Sequence, residues 1–481
     1  MEGGNAVCRE KKRIRSFRTA SVEKIFKFGC CLGEKENWKS TLVEKFLEGK
    51  NSWSFSGIPP HENKTSKEEI DSFVNQMTRN IGMPKLKTED WAEVFWHLGN
   101  QAQKEKEIVI FFDEISWMGS KDENFLGYLK TEWDRTFSKC SNLILILCGS
   151  VSNWIEDKII NSTGFYGRIS IKLKVEELPL PDCNEFWKVQ GDRISAFEKF
   201  KVLGVTGGVP KYLEEVIPTE SAEKNINELC FRKEGLLFRE YKQIFYDLFS
   251  RRAGTFDKII RTLLKGSKNL DEICSELKIE KSGNISKYLH DLISVGFVSE
   301  DKTWNIKSKK KSNLKRFRLS DNYIRFYLKF IEPNITKIEQ NGFTSYSIAH
   351  LPGWETIMGL QFENLVINNI NKLYEILNIS IQDVVKSGPF FQKKSTKNKG
   401  CQIDLLIQAK YNTLYLCEIK FLSKDVGRLV VGEVEEKIKR LSYPKGYTVR
   451  PILIHVNGVT QGVLESDLFD KIIDFSDFFI K

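Results

Sequence analysis

The sequence predicts an α/β protein built from three units. Its 481 residues exceed what one hydrophobic core usually holds, and 41% of them are hydrophobic, which is ample for burial. An apolar run, IVIFFDEISWM at 108–118, ends in two adjacent carboxylates. Much later, acidic residues recur in an order that fits a helix followed by two strands. These features predict a parallel-sheet core at the front and a smaller α/β unit at the end.

The apolar run predicts a buried central strand that presents Asp113 and Glu114 at its carboxyl end. An ATPase needs this pair, because one carboxylate holds Mg²⁺ and the other polarises the attacking water. The pattern is typical of a Walker B strand. A core strand followed by a solvated acidic turn is the alternative interpretation.

A phosphate-binding loop should lie upstream, between an earlier strand and a helix. The segment FGCCLGEKENWKSTLVEKFLEGK, at 28–50, offers Gly33 and then Lys39, Ser40 and Thr41 at the start of a helix. Lys39 and Thr41 would contact the nucleotide, and Ser40 would contact both the nucleotide and Mg²⁺. However, Trp38 stands before the lysine, where an indole obstructs the close backbone approach that glycine permits.

A shifted reading frame is one hypothesis for this anomaly. Residues of about 20–38 would then be frame-shifted, and across 28–38 a one-nucleotide shift permits LVVVWGRRRIG, which runs into Lys39 and Ser40 and restores G-x-x-x-x-G-K-S. Two compensating errors, near 19–22 and beside Lys39, would produce the observed sequence. A natural, degenerate loop is the alternative.

Three further segments resemble parts of a nucleotide site. The strand of SNLILILCGSVSNWIEDKI, at 141–159, leads to Ser150, Ser152 and Asn153, where a polar sensor could contact the γ-phosphate. A helix-capping turn explains these residues equally well. Arg168, on the turn STGFYGRIS, could be an arginine finger or a solvated surface residue. VTGGVPKYLEEV, at 205–216, predicts a tight turn before a helix and a candidate wall of the site.

The order of FDEISW, ILCGSVS, GFYGRI and TGGVPKYLEE resembles archaeal and bacterial AAA-superfamily ATPases. In these proteins the core precedes a winged helix and a nuclease-like C-terminal domain, and the resemblance extends from Lys39 to near the end of the chain. It implies ATP and Mg²⁺ as cofactors, with nucleotide contact at Lys39 and Ser40. It also implies Mg²⁺ and water roles at Asp113 and Glu114, and a sensor or finger at Ser150 and Arg168.

The middle of the chain predicts a winged helix. Helical patterns begin near Phe256, Leu270 and Ser282, and the last has one apolar stripe formed by Ile285, Tyr288, Leu289, Leu292 and Ile293. The net charge is +10, and its densest run, KSKKKSNLKRFR at 307–318, follows these helices. The run could bind nucleic-acid phosphates or form a solvated loop. Such modules also serve as protein-packing domains.

The C-terminal unit contains LQFENLVINNI, QIDLLIQ and TLYLCEIKF. Glu363 falls on an early helix, Asp404 on a strand, and Glu418 and Lys420 on one face of the next strand. The carboxylates could bind Mg²⁺ while the lysine holds the attacking water or a phosphate. This order resembles the PD-(D/E)XK nuclease core. A salt-bridged sheet edge and an inactive nuclease fold kept for binding are the alternatives.

Compartment and partners follow from composition. No apolar run reaches the ~20 residues that span a bilayer, and the basic N-terminus lacks an apolar signal region, so we expect a cytoplasmic protein with no membrane partner. The ten cysteines show neither C-x-x-C spacing nor paired histidines, so neither a zinc site nor a disulfide framework is expected. AAA-type cores commonly complete their sites with a neighbour's arginine, which is compatible with a homo-oligomer.

The complete prediction is a P-loop NTPase core of AAA type over 1–215, a helical and winged-helix domain over 216–335, and a restriction-endonuclease-like α/β domain over 336–481. The predicted function is Mg-dependent ATP hydrolysis coupled to the two later modules. One alternative is a Mg-dependent DNA nuclease with a nucleotide-sensing front domain. Another is a non-hydrolysing nucleic-acid-binding regulator, which the altered loop motivates.

Overall fold

The computed structural model describes residues 28–33, 36–59, 61, 63–150, 155–249, 252–343, 347–394 and 399–481. The chain forms two compact units that divide between Glu176 and Glu177. The predicted frame-shifted stretch before residue 28 and the candidate sensors Ser152 and Asn153 lie outside the described residues.

The first unit contains a five-stranded sheet whose paired strands are all parallel, in the order β2-β3-β4-β1-β5. Its strands are β1 (Phe28–Gly33), β2 (Ser52–Ser56), β3 (Ile108–Asp113), β4 (Leu143–Ser150) and β5 (Ile171–Val175). Its α-helices are α1 (Glu36–Leu47), α2 (Ser66–Ile81), α3 (Trp91–Ala102), α4 (Ile115–Met118) and α5 (Phe125–Arg135). Single turns of other helix types cover Phe137–Lys139 and Glu156–Ile160.

Helices cover both faces of this sheet. On one face, α1 packs Leu42, Val43 and Phe46 against Phe111 and Ile146. On the other face, a larger cluster joins the alternate strand residues to α2, α3 and α5. A parallel sheet needs this two-sided cover, which explains why β3 is apolar on both faces.

The second unit begins with helices. These are α6 (Leu180–Cys183), α7 (Ala196–Thr206), α8 (Pro210–Glu214), α9 (Ala222–Cys230), α10 (Leu236–Phe249), α11 (Ala253–Thr262), α12 (Leu270–Leu277) and α13 (Gly283–Ser294). The antiparallel hairpin of β6 (Val298–Trp304) and β7 (Lys311–Leu319) follows. The three helices that the sequence predicts in this region are therefore present, and a hairpin follows them.

The C-terminal part contains a second five-stranded sheet, of order β12-β11-β10-β9-β8, which mixes parallel and antiparallel pairs. Its strands are β8 (Val384–Gln392), β9 (Cys401–Ala409), β10 (Thr413–Ile419), β11 (Thr448–His455) and β12 (Lys471–Asp474). Its α-helices are α14 (Asn322–Phe326), α15 (Ile335–Glu339), α16 (Trp354–Asn368), α17 (Ile370–Ile376), α18 (Leu429–Arg440) and α19 (Gln461–Leu464).

The first unit ends earlier than the domain boundary predicted at residue 215. The physical reason is that α7 packs inside the second unit, where the ring of Phe200 contacts the rings of Phe362, Phe421 and Phe475. The turn at Gly207 and Gly208 belongs to the second unit for the same reason. No helix among the described residues is long and apolar enough to cross a membrane.

Candidate nucleotide site and carboxylate cluster

The two candidate carboxylates at the end of β3 differ in their exposure and in their backbone conformation. Asp113 is partly exposed, and its Oδ1 accepts a hydrogen bond of 3.2 Å from the backbone N–H of Glu114. Glu114 is buried and adopts the left-handed conformation, with φ 47° and ψ 51°, directly before α4. The chain therefore turns sharply between the strand and the helix. Non-glycine residues rarely adopt this conformation, and they often do so at functional sites.

The strand register brings the candidate residues to one edge of the sheet. Gly33 pairs with Ser150, and Phe112 pairs with Leu147 on the other side of β4. Because all these strands are parallel, their carboxyl ends, which include Asp113, share an edge. β1 and β3 are separated only by β4, a spacing of roughly 10 Å at about 4.8 Å per strand.

Lys39, Ser40 and Thr41 belong to the first half of α1, which begins at Glu36, three residues after β1 ends. The start of α1 therefore lies at the same edge as Asp113. The segments that follow β1 and β4 leave this edge on opposite faces of the sheet. The helix α1 packs on one face, whereas Ile155 and Ile159, after β4, pack on the other. Such a divergence opens a crevice at the carboxyl ends of the strands, where doubly wound sheets bind ligands.

A buried ion pair holds the segment that follows Glu114, and sequence reasoning did not identify it. Lys64 Nζ lies 3.0 Å from Glu69 Oε1, and both side chains are fully buried. The same ammonium donates to the carbonyl oxygens of Ile58, at 2.7 Å, and Trp117, at 2.6 Å. Glu69 also accepts a hydrogen bond of 2.5 Å from the Ser120 hydroxyl. The pair thus connects the start of α2 to Trp117 and Ser120, which follow the two carboxylates in the chain.

Gly57 brings the loop after β2 against this turn. A Cβ at Gly57 would lie 2.5 Å from the carbonyl oxygen of Glu114 and 2.9 Å from Cβ of Trp117. Its N–H donates to the carbonyl of Asp113 at 3.0 Å. Any side chain at this position would therefore displace the turn that carries the two carboxylates.

Arg168 lies at the opposite edge of the sheet. It precedes β5, whose amino end pairs with the start of β1. The guanidinium forms a bidentate ion pair with Asp134, with Nε–Oδ1 at 2.7 Å and Nη2–Oδ2 at 3.0 Å. This contact lowers the pKa of Asp134 to about 2. A five-residue strand of roughly 16 Å separates Arg168 from the carboxyl edge, so it does not line the candidate site of its own chain.

In the second unit, the predicted acidic residues converge. Asp404 on β9 and Glu418 on β10 are neighbours, because Leu405 pairs with Cys417 in the antiparallel ladder. The backbone N–H of Ile419 donates to Asp404 Oδ2 at 3.0 Å. Lys420 Nζ lies 3.1 Å from Glu418 Oε1 and 2.7 Å from Glu433.

Glu363 on α16 is the third carboxylate of this cluster, and the charge of Asp404 affects its pKa. Burial and the nearby Asp404 raise the pKa of Glu363 to about 7, although Arg318, Arg325 and Lys437 oppose the shift. Burial and Glu418 raise the pKa of Asp404 to about 6. These three carboxylates therefore share one crowded site. Within the described ranges, no group of three His, Cys, Asp or Glu side chains has a geometry suited to a metal ion.

Lys437 is the residue of this cluster that sequence reasoning missed. Its ammonium, on α18, lies 2.5 Å from Glu418 Oε2 and 3.5 Å from Asp404 Oδ1. The only sequence signal was a lysine on the buried side of an amphipathic helix, next to Val434. Lys420 and Lys437 together contact both oxygens of Glu418, so the carboxylates are held by internal cations.

No protein-family model matches this sequence. An uncharacterized protein of Methanocaldococcus jannaschii is 25% identical over 362 residues, which cover 72% of this chain and 75% of that protein. An uncharacterized ATP-binding protein of the same organism is 24% identical over 231 residues, covering 44% of this chain and 63% of that protein.

Among solved structures, a Walker-type ATPase of Pyrococcus abyssi aligns with a TM-score of 0.49 and 16% identity, over 67% of this chain and 95% of that one. The Aeropyrum pernix ORC2 protein aligns with a TM-score of 0.39 and 13% identity, over 70% and 94%. These likenesses are distant. The class of the first unit, a doubly wound parallel α/β sheet with acidic residues at its carboxyl edge, rests on its own strand order and register.

Proposed function

We propose that the first unit binds ATP with Mg²⁺ and hydrolyses it. The observation that carries this proposal is the common sheet edge of Asp113, Glu114, Ser150 and the start of α1. The strand-to-helix order from β1 to α1 is that of a phosphate-binding segment, although α1 already begins at Glu36, three residues before Lys39. The sequence similarity to a protein described as ATP-binding supports the same proposal.

The roles follow from chemistry. Lys39 would contact the phosphates, with Gly33 and Thr41 beside the loop. Ser40 and Asp113 supply the hydroxyl and carboxylate oxygens that Mg²⁺ prefers, and bound Mg²⁺ neutralises phosphate charge. Glu114 would orient the attacking water and accept its proton. Ser150 would contact the terminal phosphate from the end of β4.

Equilibrium binding of a fluorescent ATP analogue tests this proposal. We expect saturable, Mg²⁺-dependent binding that is abolished in Lys39→Ala. Lys104→Ala is the matched control, because Lys104 is an exposed lysine before the amino end of β3. Binding that Lys39→Ala does not change would refute the proposed site. Saturable, Mg²⁺-dependent binding that Lys39→Ala abolishes would eliminate the non-hydrolysing nucleic-acid-binding regulator.

The altered loop has its own experiment. Trp38 lies in the first turn of α1, next to Lys39. We expect a version carrying GRRRIGKS across this loop to turn over ATP faster than the chain that carries Trp38. Equal rates would show that the indole does not obstruct the site.

The convergence of Glu363, Asp404 and Glu418 supports a second candidate function, a Mg²⁺-dependent nuclease, in which Mg²⁺ would have to replace the Lys437 ammonium beside Glu418 and Asp404. Lys420 and Lys437 would then contact the scissile phosphate. Nicking of plasmid DNA that requires Mg²⁺ and disappears in Glu418→Ala would support this candidate. Robust ATP turnover without any DNA cleavage would contradict the nuclease candidate and support the ATPase proposal. A homo-oligomer and a cytoplasmic location belong to the ATPase proposal as expectations.

A further inference from the structure

Two lysine-rich turns lie side by side in the second unit. The turn between β6 and β7 exposes Lys307, Lys309 and Lys310. The turn between β8 and β9 exposes Lys393, Lys394 and Lys399. We call these the first and the second lysine turn. Both turns are lysine-rich in the sequence, where the second reads KKSTKNK at 393–399.

A buried anchor fixes the two turns to each other at their bases. The indole N–H of Trp304, at the end of β6, donates to Gln408 Oε1 on β9 at 2.7 Å. The amide of Gln408 donates in turn to the carbonyl of Ile306 at 2.9 Å. The rings of Trp304 and Phe390 pack edge to face with centroids 5.2 Å apart. The first turn is therefore attached to the sheet that carries the second turn.

The second turn is also closed at its base. Gln392 Nε2 donates to the carbonyl oxygens of Lys399, at 2.6 Å, and Arg440, at 3.0 Å. Its Oε1 accepts from the N–H of Ser442 at 3.0 Å. The described bases of both turns are thus hydrogen-bonded, which reduces the entropy that a ligand must remove when it binds there.

A cleft of about 680 Å³ lies at the bases of the two turns, where the start of α12 and the strand β7 also line it. Its lining includes Asn305 from the first turn, Lys393 from the second, and Phe391 and Gln392 from the end of β8. Amide groups and a partly exposed ring suit a nucleobase, because they offer hydrogen bonds and a stacking face.

The charges of the turns are available to a ligand. None of the six lysines lies at ion-pair distance from a carboxylate of the described chain, whereas the basic residues further along β7 are engaged. Lys315 pairs with Glu300, Arg316 with Glu272, and Arg318 with Asp301. Asp271, the acidic residue of the cleft, already pairs with Lys281. The cationic part of the 307–318 run is therefore confined to its first residues.

Helix α13 would be the conventional contact of a winged helix, but it offers little charge. Its exposed cationic side chain is Lys287. A backbone that carries one phosphate per nucleotide needs several cations along its path. The described residues of the two lysine turns supply six, of which Lys393 lines the cleft.

We infer that the exposed lysines of the two turns and the cleft at their bases form one composite surface that binds the phosphate backbone of a nucleic acid. This inference rests on the nuclease candidate of the proposed function, which acts on a nucleic acid, and it adds the second lysine turn to the basic run that the sequence predicts as a phosphate contact. It is independent of ATP binding, which belongs to the first unit.

Fluorescence anisotropy of the full-length chain with a labelled 25-nucleotide oligo(dT) and a labelled 25-base-pair duplex tests the inference. One variant carries Lys307→Gln, Lys309→Gln and Lys310→Gln, and another carries Lys393→Gln, Lys394→Gln and Lys399→Gln. A control with equal charge loss carries Lys242→Gln, Lys337→Gln and Lys424→Gln, which are exposed lysines outside both turns.

We expect each turn variant to weaken binding of at least one probe about tenfold or more, and the control less than twofold. The slope of log affinity against log salt should fall by roughly 0.7–0.9 for each phosphate interaction that the substitutions remove. The preferred probe then identifies the strand type. Binding of the ATP analogue, measured on the same variants, should not change.

Two results would overturn the inference. If Lys287→Gln weakens binding while both turn variants bind normally, the nucleic acid contacts α13. That result would refute the composite surface but not nucleic-acid binding by the second unit. If neither probe binds the native protein at 50 mM salt, while an acidic polypeptide such as poly(Glu) binds through the turns, the surface serves a protein instead.

Discussion

Lys64 and Glu69 form an ion pair from which solvent is excluded, with Nζ and Oε1 3.0 Å apart. The pair also binds the turn after Glu114 through the carbonyl of Trp117 and the hydroxyl of Ser120. The same ion pair therefore stabilises the first unit and fixes the turn that follows Glu114, the candidate catalytic carboxylate.

The first prediction concerns this pair. Lys64→Met leaves the carboxylate of Glu69 buried without its cation, so we expect the free energy of unfolding to fall by about 3–5 kcal/mol. Urea denaturation measures this change. The matched control is Lys67→Met, which removes an exposed pair with Glu89 and should leave the midpoint unchanged. In the double variant Lys64→Met/Glu69→Leu, much of the missing stability should return. A small effect of Lys64→Met would mean that the pair is not important for stability.

The second prediction separates the two carboxylates at the end of β3. Glu114→Gln should keep ATP-analogue binding and lower the hydrolysis rate by about 10²–10⁴-fold, because the proton acceptor is removed while the shape is kept. Asp113→Asn should instead weaken Mg²⁺-dependent binding. Single-turnover hydrolysis and titration of the analogue measure the two effects. Equal loss of binding in both variants would contradict the separate roles.

Periodicity predicted the local parts of this molecule well. The strand predicted at Ile108–Asp113 is present, and of the predicted stripe on α13 the side chains of Ile285, Leu289 and Leu292 are buried. Tyr288 and Ile293 lie at the margin of that stripe and are partly exposed. An apolar stripe is a local property of sequence, so periodicity finds its centre better than its edges.

Contacts between distant segments were not predictable in the same way. Lys64 lies just before α2 and Lys437 lies on α18, and only the tertiary fold turns their ammonium groups toward Glu69 and Glu418. Long lysine side chains can snorkel from either position, so the sequence alone does not reveal their partners. The same reason explains why Arg168 could be identified as a candidate finger but not placed at an edge of the sheet.

The third prediction is a pH dependence of stability in the second unit. Burial raises the pKa of Glu363 to about 7 and of Asp404 to about 6, above their ordinary values of 4.5 and 3.8. At a pH between the ordinary and the raised pKa of each group, the folded state keeps a proton that the unfolded state has released. Stability should therefore decrease as pH rises from about 4 to 7, by up to about 1.4 kcal/mol per pH unit for each group, and then level off.

Urea denaturation of the second unit's transition at pH 5, 6, 7 and 8 measures this effect. Glu363→Gln is the matched variant, because it keeps the shape and removes one titrating group. It should flatten the dependence and be more stable than the native protein at pH 8. A stability that rises from pH 5 to 7 in the native protein but not in Glu363→Gln would contradict the raised pKa of Glu363.

The last prediction concerns Arg168, which lies at the amino edge of the sheet and pairs with Asp134, while the candidate site occupies the carboxyl edge. If it acts as an arginine finger, it must act on a neighbouring copy of the chain. Arg168→Ala and Lys39→Ala should each abolish ATP turnover, with losses on the order of 10³-fold for the finger. Mixing the two should restore part of the activity, because some sites then combine an intact Lys39 with a neighbour's Arg168. Steady-state turnover of the mixture at several protein concentrations measures this recovery. Asp134→Asn, which removes the ion pair but keeps the guanidinium, serves as the control and should retain turnover. A mixture no more active than its components would assign Arg168 to the stability of the turn before β5.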